Sequence, residues 1–357
     1  KGYHFYNDTV QEGEDITFFI TAENISKWDM DSLLAEFWLI DKNNNPVLLQ
    51  KKRYRTHPAG DVLPLDTVTF SSIGYTGLNT IWAEINPLDT LTGTFDQIEQ
   101  YHFNNIAQKF VYVKADKSNP LLDVTFDGIH ILDGDIVAPN PEILVKLTDE
   151  NKYLALNDTS LFRIYLKAHT TGEEERIYFN QSSEKRSVQW TPAQLPDNSC
   201  EIQIIPELED GKYELRVQAK DKSNNESGSL DYSISFEVVS KTTITNVFNY
   251  PNPFSTSTRF VYTLTGSEMP TEFRIQIMTI TGKLVKEIDL LKNGDIHTGR
   301  NISEYAWDGR DTYGDLLANG LYFYKVIVNL NGESIEKRKT NTEKYFKKDI
   351  GKMYIIR

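Results

Sequence analysis

Apolar and polar residues alternate with a period of two along most of this chain. Tyr213-Glu214-Leu215-Arg216-Val217-Gln218-Ala219-Lys220 does so without a break. Successive side chains of a strand point to opposite faces, so such a run predicts one dry and one wet face. Phe162-Arg163-Ile164-Tyr165-Leu166-Lys167, Phe273–Ile277 and Tyr322–Val328 follow the same rule. Turn-forming clusters separate the runs, among them Asp41-Lys42-Asn43-Asn44-Asn45-Pro46 and Glu209-Asp210-Gly211-Lys212. Only residues 95–107 offer a short helix. Many short strands at regular spacing predict an all-β chain of consecutive Ig-like antiparallel β-sandwich modules.

Two linkers divide the pattern. Ala115-Asp116-Lys117-Ser118-Asn119-Pro120 follows the apolar run Phe110–Val113, and Ser240-Lys241-Thr242-Thr243 follows Phe236–Val239. In both, a strand runs straight into a polar stretch. The expected modules are 1–114, 115–240 and 241–357, each close to the size of one Ig-like sandwich.

Composition narrows the function classes. With 39% apolar and 12% aromatic residues the chain can bury real cores. A net charge of −13 argues against a nucleic-acid partner, because phosphate binding needs clustered Lys and Arg. The sign is uneven: residues 333–357 hold eight Lys/Arg against four acids, leaving that stretch at +4 and the rest at −17. A basic tail on an acidic body points to different partners for the two. No apolar run approaches the roughly 18 residues of a membrane span. The chain begins at Lys1 without a signal-peptide pattern, and the expectation is the C-terminal portion of a longer exported protein.

Candidate chemistry is sparse. Cys200 is the only cysteine, so no intramolecular disulfide is available. It stands at a strand start, Asn198-Ser199-Cys200-Glu201-Ile202, without the Gly-rich context of a nucleophile, and reads as a small apolar filler. The histidines His4, His57, His102, His130, His169 and His297 show no HxH or HExxH spacing and are expected at the surface. Acid groups at Asp133/Asp135, Asp149/Glu150 and Asp308/Asp311/Asp315 are of the type that ligates Ca²⁺. None reproduces an EF-hand loop or the inter-module pattern of cadherins, so they read first as turn residues with bound Ca²⁺ as the alternative, and no other metal or cofactor is expected. Exposed aromatics on a sandwich would stack on sugars, but the aromatics here alternate as core residues do, Trp28 and Trp38 least clearly.

The most distinctive stretch is 249–324. It opens on Asn249-Tyr250-Pro251-Asn252-Pro253-Phe254 and closes on Trp307-Asp308-Gly309-Arg310-Asp311, Gly314 and Gly320-Leu321-Tyr322, with Gly282-Lys283 between. Pro251 and Pro253 cannot donate to a ladder and belong on a sheet edge. Phe254 is expected to anchor them, Asp308-Gly309 to make a tight turn, and Trp307 to pack beneath it with its indole N–H bonded.

Three resemblances follow. Residues 241–357 resemble the FlgD-type Ig domain that serves as a C-terminal signal of type IX secretion cargo, with Gly351-Lys352-Met353-Tyr354-Ile355-Ile356-Arg357 as the apolar strand and basic finish. Glu333–Asp349 is longer and more charged than the turn that pattern carries. In residues 115–240, Asp133-Gly134-Asp135, Asn140-Pro141-Glu142-Ile143 and Leu147-Thr148-Asp149-Glu150-Asn151 resemble the sandwich before the terminal domain of gingipain-like (C25 family, PorU-like) cysteine peptidases of the Bacteroidetes. Residues 1–114, with Glu99 and Asn104-Asn105, are similar to CARDB-like adhesion domains. The resemblances imply a non-catalytic segment, any peptidase domain lying upstream of Lys1, exported to the cell surface or secreted. They imply capture of Gly351–Arg357 by the outer-membrane shuttle PorV, a β-barrel, by strand addition, with the translocon as a further partner. The alternative is an adhesin or glycan-binding protein carrying such a signal. Four Asp-(Ser/Thr)-aliphatic triplets, centred on Thr9, Ser32, Thr67 and Thr90, resemble the O-glycosylation signal of Bacteroidetes exported proteins.

Overall fold

The run Tyr213–Lys220 forms the strand Gly211–Ala219, and its alternation separates buried Leu215, Val217 and Ala219 from wetter Arg216 and Gln218. Repeated along the chain, that segregation builds sheets with one dry face, and dry faces pack in pairs. The computed structural model describes residues 2–5, 8–179, 185–292, 294–337 and 350–357. Its described residues are nearly all β, and the sheets form three successive sandwiches with no barrel.

In the first, a sheet centred on Asp15–Glu23 faces a five-stranded sheet of order Thr9–Gln11, Ile106–Lys114, Gly77–Ile85, Met30–Ile40, Pro46–His57. In the second, Leu121–Phe126, Ile143–Thr148, Ser199–Pro206 and Arg186–Thr191 face Asp135–Val137, Tyr232–Val238, Gly211–Ala219, Phe162–Ala168 and Glu174–Ile177. In the third, Gly299–Ile302, Arg259–Leu264, Thr243–Tyr250 and Glu336–Lys337 face Leu284–Asp289, Glu272–Thr279 and Gly320–Leu330, the last pairing with both Glu333–Ser334 and Ile350–Ile355. Each sandwich contains a short parallel pair among antiparallel strands, such as Thr9–Gln11 beside Ile106–Lys114.

Three separate apolar cores result, drawn from residues 10–113, 124–238 and 244–355. Aromatic edges pack in each, as where Phe18 meets Phe37 and Phe126 meets Phe236. Cys200 belongs to the second core, 1% exposed, and burial pushes its thiol up to about 12.

Three expectations need correction. Residues 95–107 form no helix; the one helical element among the described residues is a single 3₁₀ turn, Thr159–Leu161. The Asn86 side chain captures the main chain of Gln97 from both sides, its amide donating to the carbonyl and its Oδ1 accepting the N–H. Glu99 then gathers the amides of Asn86 and Asn105. Those long-range bonds take the groups a helix would have used. His57 is not a surface residue: it is 2% exposed, and neither ring nitrogen has a partner. Finally, not all alternating aromatics are core. Phe110 and Tyr112 point outward from their strand, while Val111 and Val113 take the inner face.

Candidate functional site

The Pro-rich segment is organised by short polar contacts. Asn249 donates to Thr258 Oγ1 (3.0 Å), and that hydroxyl donates to the Pro251 carbonyl (2.8 Å). The Tyr250–Pro251 and Asn252–Pro253 peptide bonds are both cis. The prolines and Asn252 are exposed, whereas Phe254 turns inward and packs against Trp307, ring centroids 5.6 Å apart. Trp307 is fully buried and donates its indole N–H to the Arg310 carbonyl at 2.9 Å. Asp308 accepts the Arg310 N–H, and Asp311 accepts the N–H groups of Tyr313 and Asp315. These carboxylates therefore hold a turn. Gly309, at φ +73°, leaves room for the Arg357 guanidinium, which a Cβ there would strike. Gly282 and Gly314 lie exposed between strands, Gly320 is exposed at the start of the strand Gly320–Leu330, and Tyr322 is buried.

The tail strand Ile350–Ile355 adds antiparallel to Gly320–Leu330, with Gly320 opposite Ile355 and Tyr324 opposite Gly351. Gly351, Met353 and Ile355 face the core; Lys352, Tyr354 and Ile356 face outward. Its other edge is also occupied. Asn252 donates to Lys352 O (2.9 Å) and accepts from Tyr354 N (3.0 Å). Phe254 N donates to Tyr354 O, and Ile356 N donates to Phe254 O. Arg357 closes the arrangement by donating to the carbonyls of Leu317, Ser255 and Asp308, while its backbone is held by Asn319. The Pro251–Phe254 motif is thus a clasp on the tail. Strand addition to this edge, expected from the resemblance, has no free main-chain edge in the docked arrangement.

Other sequence candidates are scattered. Thr9, Thr67 and Thr90 are exposed, whereas the Ser32 hydroxyl is half-buried and accepts from Arg53 and Gln97. Asp133 accepts from Ser235 N in the strand Tyr232–Val238, and Asp135 accepts from Leu132 N. Glu150 is bonded by Ser118 and stands apart from the Asp149 contacts. Arg338, Lys339, Lys344, Lys347 and Lys348 of the basic stretch, with most of Glu333–Asp349, lie outside the described residues.

One grouping was not visible from spacing. The outer face of the first sandwich's larger sheet carries Trp38 directly opposite Trp82, with Phe110 and Tyr112 on the neighbouring strand. Phe110 is 58% exposed and Tyr112 48%. The strand Phe110-Val111-Tyr112-Val113 is apolar on both faces, so alternation could not say which face is wet.

Comparison with known proteins adds a limited likeness. No family model matches the sequence, and no curated protein matches it. Among solved structures, dimeric latent PorU from Porphyromonas gingivalis aligns at 15% identity and a TM-score of 0.27, covering 99% of this chain and 32% of that one. A marsupial T cell receptor aligns at 12% identity and a TM-score of 0.21, covering 95% of this chain and all of the other. The chain thus spans about a third of the PorU chain's length. At these scores neither likeness is an argument for function.

Proposed function

We propose that this chain is a non-catalytic β-sandwich segment of a secreted, gingipain- or PorU-like surface protein. Its third sandwich acts as the type IX secretion signal or docking domain for a PorV-like outer-membrane shuttle. The observation that carries this reading is the clasped tail. The two parts of the resemblance, Pro251–Phe254 and Gly351–Arg357, meet as one bonded unit, so the motif has a role in presenting the tail. Because the main-chain edges of the tail strand are engaged, the shuttle reads the outward row Lys352, Tyr354 and Ile356 on a folded module. The test is a pull-down of the chain on a purified PorV-like barrel. Lys352→Glu with Tyr354→Ala is expected to abolish capture while leaving the fold intact, and removal of residues 350–357, which also opens the core that Met353 and Ile355 fill, to abolish capture. Equal capture after truncation refutes the proposal.

The alternative, a glycan-binding or adhesive protein, is favoured by one observation, the outward Trp38, Trp82, Phe110 and Tyr112 face. Sugar faces stack on such rings. Glycan-array binding lost in Trp38→Ala and Trp82→Ala, with shuttle capture absent, would replace the first reading by this one.

A further inference from the structure

Three aspartates that lie far apart in sequence meet where the first and second sandwiches join. Asp116 follows the strand Ile106–Lys114, Asp149 follows Ile143–Thr148, and Asp221 follows Gly211–Ala219. One carboxylate oxygen from each lies within 4.8 Å of the others. Oxygens that share a Ca²⁺ at 2.3–2.6 Å are at most about 5 Å apart.

The carboxylates are held in place by N–H donors. Asp116 accepts from Ser118 N (3.0 Å) and Asn151 Nδ2 (2.8 Å). Asp221 accepts from Asn225 N (2.8 Å) and Nδ2 (2.7 Å), and Asp149 Oδ1 accepts from Asn151 N (2.6 Å). A second observation points to a ligand. Asp149 is only 7% exposed, and its Oδ2, aimed into the cluster, has no hydrogen-bond partner. Asp221 is 3% exposed. No Lys, Arg or His among the described residues forms an ion pair with any of the three. Buried carboxylates with no positive charge beside them are costly, and a bound cation would supply that charge.

We propose that Asp116, Asp149 and Asp221 form a Ca²⁺ site that fixes the junction between the first two sandwiches. The donor set is all oxygen, which selects a hard cation over zinc. The irregular set of loop carboxylates suits Ca²⁺, which takes variable geometries, better than the near-ideal octahedron that Mg²⁺ demands. The first sandwich reaches the same place through its Glu12–Gly13 turn. The Glu12 carbonyl accepts from Asn151 Nδ2, and a Cβ on Gly13 would lie 2.8 Å from Leu154. An ion held by the linker residue Asp116 and two loops of the second sandwich ties the modules in one orientation.

The test is calorimetric titration of CaCl₂ into the EDTA-stripped full chain. One saturable site is expected, with a Kd of about 10⁻⁴–10⁻³ M or tighter, the range of extracellular modules. MgCl₂ is expected to bind at least about tenfold more weakly. Asp149→Asn keeps the acceptor for Asn151 N, so it folds with an unchanged or higher metal-free Tm, yet weakens Ca²⁺ binding at least about tenfold. Asp221→Asn does likewise, and Asp311→Asn in the third sandwich leaves the affinity unchanged. Absence of a saturable site in the wild-type chain overturns the proposal. So does binding that survives both junction variants, or equal affinity for Mg²⁺.

Discussion

Replacing Asn252 by Ala isolates the clasp. Asn252 is exposed and packs on nothing large, so the substitution removes two hydrogen bonds, to Lys352 O and from Tyr354 N, and little else. A hydrogen bond contributes about 0.5–1.5 kcal/mol net, and at an exposed site water replaces part of it. The tail should therefore be loosened by about 1–2 kcal/mol. A tenfold change corresponds to about 1.4 kcal/mol, so amide exchange at Tyr354 and Ile356 should accelerate about 5- to 30-fold. Exchange in the first two sandwiches should not change. Hydrogen-exchange mass spectrometry over peptides spanning 350–357 measures this directly. Phe254→Ala, which empties a site packed on Trp307, should loosen the same segment by about 3–5 kcal/mol. If tail exchange in Asn252→Ala equals wild type, the motif does not hold the strand. If shuttle capture improves as the tail loosens, the shuttle reads a released strand and the side-chain row is not its target.

Other outcomes follow from single residues. Burial lowers the His57 pKa, so the unfolded chain takes up that proton first. Stability is then flat above about pH 6.5 and falls by up to about 1.4 kcal/mol per pH unit below it, until the folded pKa is reached. His57→Leu should flatten this limb in denaturant titrations, and an unchanged slope would exclude His57 as its source. A Cβ at Gly351 would fall inside the Tyr324 ring, so Gly351→Ala should destabilise the third sandwich by about 1–3 kcal/mol in chemical denaturation. Wild-type stability in that variant would mean the strand docks differently. Native Cys200 should react with thiol reagents only as fast as the second sandwich opens; fast labelling in native buffer would contradict its burial.

The strands were legible because alternation and burial have the same cause. Leu215 and Val217 are dry because their neighbours Glu214, Arg216 and Gln218 must be wet. The clasp was half legible: the prolines, Phe254 and Trp307 signalled an edge and an anchor, but not that the edge partner was the tail, 102 residues away. The loop at 95–107 misled because Asn86 and Glu99 decide its path through tertiary bonds that local propensity does not encode. The junction site was only partly legible for a similar reason: Asp149 stood among the calcium-type acids, paired with Glu150 and not with Asp116 and Asp221. Asp116, Asp149 and Asp221 each look like an ordinary residue ending a strand, and only the sandwich brings those ends together.

The docked tail has a consequence for the order in which the third sandwich forms. Met353 and Ile355 fill a core that also holds Phe254, so a ribosome must deliver both ends of a span of about a hundred residues before that core closes. Closing so long a loop is slow compared with local pairing. Until it happens, Phe254 and Trp307 lack the strand that covers them. The contact that closes this core thus joins segments that leave synthesis about a hundred residues apart.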